Sequence, residues 1–201
     1  MRKLQVVVLV VLFCSALMVG QSGKSEVFGG YSLERIAGGC GTDYRCNNNT
    51  GATTNLNGWT ASLTGYLSKS FGVSAQFSGN YGNAGFAGGG GGFATVHRYA
   101  YQFGPVYTFR WQRASAFTHV LLGGISQGVI QASPNGVVQS YTSFLWSVGG
   151  GLDVKLSKRL AVRAAQIDYE RHNVSPAANA PSQAGSPTNG FRYSAGIVVR
   201  F

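Results

Sequence analysis

Apolar and polar residues alternate with a period of two through eight stretches of the chain, at 26–36, 57–67, 71–81, 96–109, 116–126, 140–154, 160–170 and 190–201. Successive side chains of a strand point to opposite faces, so each stretch predicts a strand with one apolar face. In the second, Trp59, Ala61, Leu63 and Leu67 alternate with Thr60, Ser62, Thr64 and Tyr66. In the third, Phe71, Val73, Ala75, Phe77 and Tyr81 alternate with Gly72, Ser74, Gln76, Ser78 and Asn80. In the sixth, Phe144, Trp146, Val148, Leu152 and Val154 oppose Ser143, Ser147, Gly149, Gly151 and Asp153. The last puts Phe191, Tyr193, Ala195, Ile197, Val199 and Phe201 on one face and Arg192, Ser194, Gly196 and Arg200 on the other, where only Val198 interrupts the polar set.

The connections alternate between long and short. Turns at Ser68-Lys69-Ser70, Arg110 to Ser115 and Leu156 to Arg159 separate a Cys- and Asn-containing loop, a Gly-rich loop, a loop around Pro134-Asn135-Gly136 and a Pro- and Ser-rich loop reaching Asn189. In an up-and-down barrel, odd and even connections fall at opposite rims, so this order predicts an all-β, eight-stranded antiparallel barrel with long loops at one end. Alternation alone also fits a soluble, lipocalin-like barrel with its apolar face inward. The polar faces decide between them: they carry Gly, Ser and Thr rather than the Lys and Glu that disperse a soluble surface. A transmembrane barrel with the apolar face outward is therefore expected. Trp59, Phe71, Tyr81, Tyr99, Phe109, Tyr169, Phe191 and Phe201, near the ends of the apolar faces, suit two interfacial girdles.

The first 22 residues stand apart. Arg2-Lys3 precede a run from Leu4 to Val19 that is apolar except for Ser15, followed by small residues, which reads as a signal peptide with the barrel occupying 23–201. The run is shorter than the ~20 residues of a spanning helix. Cys14 lies within it, but bulky Phe13 stands where a lipobox needs a small residue. Thirty glycines, twelve phenylalanines and ten tyrosines, with 11% charged residues, fit one β-rich domain. A net charge of +10 raises nucleic acid as a partner, yet Lys69, Arg110, Arg113, Lys155, Lys158 and Arg159 are spread over separate turns rather than one basic patch, and no nucleic acid is expected.

Charges on the inward faces must find partners, because an eight-stranded barrel has room for little except side chains. Glu26 and Glu34 are eight apart on the first strand, as are Arg192 and Arg200 on the last. Closure pairs these strands antiparallel, predicting Glu26 with Arg200 and Glu34 with Arg192. In the seventh strand Gln166, Asp168 and Glu170 share a face. Strict parity then sends Arg163 outward, so either it snorkels to the interface or, the preferred reading, a bulge at Ala164-Ala165 swings it inward near Asp153. Arg98 is placed inside or at the rim, reaching Asp168 or Glu170.

From Glu26 to Phe201 the chain resembles the bacterial outer-membrane β-barrel domain family of the OmpA and OmpX types. The likeness rests on Val27-Phe28-Gly29-Gly30-Tyr31-Ser32 and on the closing strand with its terminal Phe201. The resemblance implies a place in the outer membrane, with outer-membrane lipid around the wall, loops outside and short turns in the periplasm. It implies that Tyr193, Ile197, Val199 and Phe201 form the signal read by the barrel-assembly machinery. It also implies an oxidising compartment for Cys40 and Cys46, which share one external loop, so a local disulfide is expected. A periplasmic peptidoglycan-binding domain of the OmpA kind is not expected after the eighth strand.

Roles within such a family are various. The leading expectation is a structural or surface-interaction role without enzymatic activity, the long loops meeting any extracellular ligand; a lipid-modifying enzyme and a small passive pore are the alternatives. Lipid A deacylases and palmitoyltransferases need a His base and a carboxylate beside a nucleophile or water. His97, His119 and His172 show no His-x-Ser arrangement, and the facing of His119 in the fifth strand is open. Neither catalytic, cofactor nor metal residues are assigned. Gly88 to Gly92 lacks the Lys-Ser or Lys-Thr of a phosphate loop, and the sequons at Asn48 and Asn173 carry no weight in a bacterial outer membrane.

Overall fold

A computed structural model describes residues 25–37, 54–85, 93–131, 138–173 and 187–201. Cys40, Cys46, residues 1–22 and the crests of the long loops lie outside the described residues. Eight strands follow one another: β1 Ser25–Ala37, β2 Thr54–Tyr66, β3 Phe71–Gly85, β4 Phe93–Arg110, β5 Ala114–Gln131, β6 Val138–Lys155, β7 Leu160–Asn173 and β8 Pro187–Arg200. Each pairs antiparallel with the next, and β1 pairs with β8 to close the barrel. Closure leaves no sheet edge, so every strand has a partner on both sides for its backbone groups, as hydrocarbon requires.

The strands run further than alternation indicated, mainly at the loop end. β4, β5 and β6 each have 18 residues. At ~3.4 Å per residue that is about 60 Å, more than a tilted strand needs to cross a ~30 Å hydrocarbon core. Above the lipid the ladder continues while the outward face no longer has to be apolar, so the alternation fades before the strand ends. At the other end Leu67 leaves β2 for the turn, where its N–H donates to the Phe71 carbonyl at 2.9 Å.

Side chains are sorted inside out relative to a soluble protein. Phe103 is 63% exposed on the outer wall, whereas Asp168 and Ser147 inside are 0%. Three small apolar clusters sit within the lumen: Phe28, Ala161 and Val198 at the turn end, Ile36, Leu56 and Val96 at the loop end, and Ala100, Ile125 and Leu145 on β4, β5 and β6. Val198, the interruption in the polar face of β8, is thus inward and buried against Phe28. Most of the other buried side chains are polar or charged.

One irregularity re-aims a charge. Leu152 faces Ala165 but Asp153 faces Arg163, and on the other side of β7 the register to β8 jumps between Arg163 and Gln166. The extra residue is the bulge at Ala164-Ala165. Both alanines are exposed, and Arg163 is turned into the lumen.

Candidate functional site in the barrel interior

Two layers of charge fill the lumen. In the turn-end layer Arg163 donates from Nε to Asp153 Oδ1 at 2.8 Å, from Nη2 to Oδ2 at 3.3 Å and from Nη1 to Gln166 Oε1 at 2.8 Å. Its guanidinium lies between the rings of Phe28 and Phe117, 4.2 and 4.1 Å from their centroids, so the flat faces left free by the in-plane hydrogen bonds meet aromatic quadrupoles. Arg200 Nε is 3.0 Å from Glu26 Oε1, and its Nη2 donates to Ser115 Oγ at 2.9 Å. The Tyr66 hydroxyl donates to Glu26 Oε2 at 3.0 Å.

The loop-end layer is a mesh. Arg192 Nη2 donates to Asp168 Oδ2 at 2.8 Å, its Nη1 donates to Ser78 Oγ at 2.9 Å, and Nη1 also lies 2.8 Å from Glu170 Oε1. Asp168 Oδ1 meets His119 Nε2 at 2.9 Å, and Gln166 Nε2 donates to Asp168 Oδ2 at 2.7 Å. Glu34 takes Arg98 Nη1 at 2.8 Å and the Asn80 amide at 2.8 Å. Arg192–Glu170 and Arg200–Glu26 are close in distance, but Glu170 Oε1 and Arg200 Nε lack hydrogen-bond geometry, so these contacts act through Coulomb attraction.

This corrects two expected pairings. Glu34 and Arg192 are register partners across the β1–β8 seam, as are Glu26 and Arg200. Yet Arg192 also stands opposite Asp168 on β7 and turns toward that strand, which offers both Asp168 and Glu170. Glu34 is left to Arg98, which reaches it from β4. Arg98 therefore meets neither Asp168 nor Glu170; it ends at Glu34, with His172 Nδ1 at 3.4 Å from its Nη2. Of the terminal residues, Tyr193, Ile197 and Phe201 are exposed on the outer wall.

Sequence reasoning left His119 unplaced and put Asn80, Gln166 and Gly149 on polar faces without assigning them a partner. His119 faces inward, and parity with Ser115 and Phe117 on β5 was the signal that could have placed it. Gly149 is shaped by the site: a Cβ there would stand 2.2 Å from Asp168 Oδ1, so only glycine leaves room for the carboxylate.

Chemically, His119 and Asp168 form an imidazole–carboxylate pair, but His119 is 5% exposed and Asp168 0%. The cavity beside them, lined by Glu26, Tyr66, Gln76, His119, Arg163 and their neighbours, measures about 10 Å³. That is room for one water molecule. Gln76 Nε2, buried with no partner, borders it and supplies a donor for such a water. No grouping of His, Cys, Asp and Glu among the described residues suits a metal ion.

A family model described as "Outer membrane protein beta-barrel domain" matches residues 6–201. Among solved structures, Ail, the attachment invasion locus protein of Yersinia pestis, is similar at 18% identity with a TM-score of 0.57, covering 90% of this chain and 100% of that one. Neisserial surface protein A is similar at 10% identity with a TM-score of 0.58, covering 88% and 97%. OprG from Pseudomonas aeruginosa is similar at 12% identity with a TM-score of 0.56, covering 90% and 97%. At these identities the likeness is one of fold. No curated protein matches at the level of sequence.

Proposed function

From the premise that the chain belongs to the outer-membrane β-barrel domain family, we propose that it is a closed, non-enzymatic barrel with a structural or surface-interaction role. One observation carries this reading: the lumen is filled by two cross-linked charge layers, and the cavity between them accommodates only about 10 Å³. Ions crossing such a barrel would have to break buried pairs, each of which costs several kcal/mol to disrupt. The wall presents large apolar side chains to lipid, and four long connections leave the end opposite the three short turns. Those loops are the part of the molecule that an extracellular ligand would meet, the β8 strand with outward Tyr193, Ile197, Val199 and Phe201 the part offered to the assembly machinery. Planar-bilayer recording of the folded protein tests the closed lumen. No large, stable conductance steps are expected; regular steps would instead favour a passive pore.

The His119–Asp168 pair is the observation that favours a second, catalytic reading. Its burial opposes it, because the ring is 5% exposed and the cavity beside it, about 10 Å³, is too small for an acyl chain. A deacylase and acyl-transfer assay of the purified barrel beside its His119→Ala variant decides, with turnover lost in the variant favouring catalysis.

A further inference from the structure

All five described Asp and Glu residues, Glu26, Glu34, Asp153, Asp168 and Glu170, are 6% exposed or less and lie inside the barrel. The charged side chains described on its outside are therefore all basic. Four of these cations, Lys69, Arg113, Lys158 and Arg159, sit exposed in the three short turns, with no ion-pair partner among the described residues. No acid among the described residues neutralises this arc of charge, which runs from the β2–β3 turn to the β6–β7 turn.

Each of these turns also repeats one arrangement. A large exposed apolar residue precedes a cation by two positions: Leu67 and Lys69, Trp111 and Arg113, Leu156 and Lys158. Leu67, Trp111 and Leu156 are 71, 56 and 62% exposed. The turns are joined to one another as well. Arg110 Nη1 donates to the Lys69 carbonyl, Lys155 Nζ donates to the Trp111 carbonyl at 2.5 Å, and the Lys155 N–H donates to the Arg113 carbonyl at 3.0 Å. The collar is thus held in one piece while its outermost cations stay free.

We infer that the periplasmic turns form a collar that binds the phosphates of anionic phospholipids in the inner leaflet. An apolar residue beside a cation suits a bilayer surface, where one enters the acyl boundary and the other reaches a headgroup phosphate. A soluble acidic partner would satisfy the cations but would leave three separated apolar side chains without hydrocarbon. The collar is independent of whether the lumen conducts.

Trp111 supplies the probe. In a Trp59→Phe/Trp146→Phe background it is the remaining tryptophan, and the folded protein is placed in phosphatidylcholine bilayers containing equal small fractions of brominated phosphatidylglycerol or brominated phosphatidylcholine. Quenching by the anionic lipid should correspond to local enrichment of about fivefold for one engaged cation, and should fall as salt is raised. Lys69→Gln/Arg113→Gln/Lys158→Gln/Arg159→Gln should bring it down to the level of the zwitterionic lipid. Equal quenching by the two lipids before substitution overturns the inference, as does a preference that survives either high salt or the four substitutions. Protection of Trp111 from both lipids also overturns it, by placing the turn in water or under a protein partner. The salt titration needs no charge substitution, so the test stands even if the fourfold variant does not fold.

Discussion

The turn-end and loop-end charge layers of the lumen are built from the same residue types but matched differently. At the turn end, Glu26 with Arg200 and Asp153 with Arg163 are register partners on adjacent strands and form the shortest contacts, while Arg110 at 3.7 Å from Glu26 and Arg200 at 3.5 Å from Asp153 stand farther off. At the loop end three carboxylates, Glu34, Asp168 and Glu170, share Arg98, Arg192 and the His119 ring, and the shortest contact to Glu34 comes from Arg98 of β4 rather than from its register partner Arg192. Neighbour geometry decides the pairing where the base nearest to each acid is its register partner. Where one arginine stands between two acidic strands, the summed field decides instead.

The strongest way to break this comparison is Arg192→Met. It leaves Asp168 and Glu170 buried without their guanidinium, at a cost of about 3–5 kcal/mol. Urea unfolding in lipid vesicles, followed by heat-modifiable gel migration, should show a large drop in midpoint; an unchanged midpoint would mean that the mesh does not stabilise the barrel. Arg163→Met should cost less, about 1.5–3 kcal/mol for its charged hydrogen bonds, because Arg200 Nη2 already stands 3.5 Å from Asp153 and can partly take over. If both variants lose the same midpoint, the contrast between the layers is not energetic. Gly149→Val probes the loop-end layer without removing charge: the added side chain meets Asp168, and overpacking costs about 1–3 kcal/mol in the same assay. The finest test is a double-mutant cycle. Glu34 should couple more strongly to Arg98 than to Arg192, by about 0.5 kcal/mol or more; the opposite order would restore the seam pairing.

Much of the architecture was legible because a barrel wall imposes a strict rule. Each strand faces lipid on one side and a narrow lumen on the other, so period-two alternation reports facing, as at Phe191 to Phe201. The length order of the connections reports up-and-down topology for the same local reason. Even the bulge at Ala164-Ala165 showed in the sequence, as a break in parity between Arg163 and Gln166. His119 was harder, since Val120, Leu121 and Leu122 follow it in an unbroken apolar run that hides the alternation of β5.

Alternation and spacing alone define the eight strands, their order, the inward faces of all but β5 and the acids enclosed there, because these depend on neighbours along the chain and across one strand pair. The tertiary structure decided the partners: Arg98 with Glu34 across the lumen, Arg192 with Asp168 and Glu170, and Arg163 between Phe28 and Phe117. Those contacts join strands far apart in sequence, and long side chains in a narrow barrel choose among several opposite charges at once. It also decided that every described acid lies within while free cations remain on the turns, a separation that a net charge of +10 cannot express.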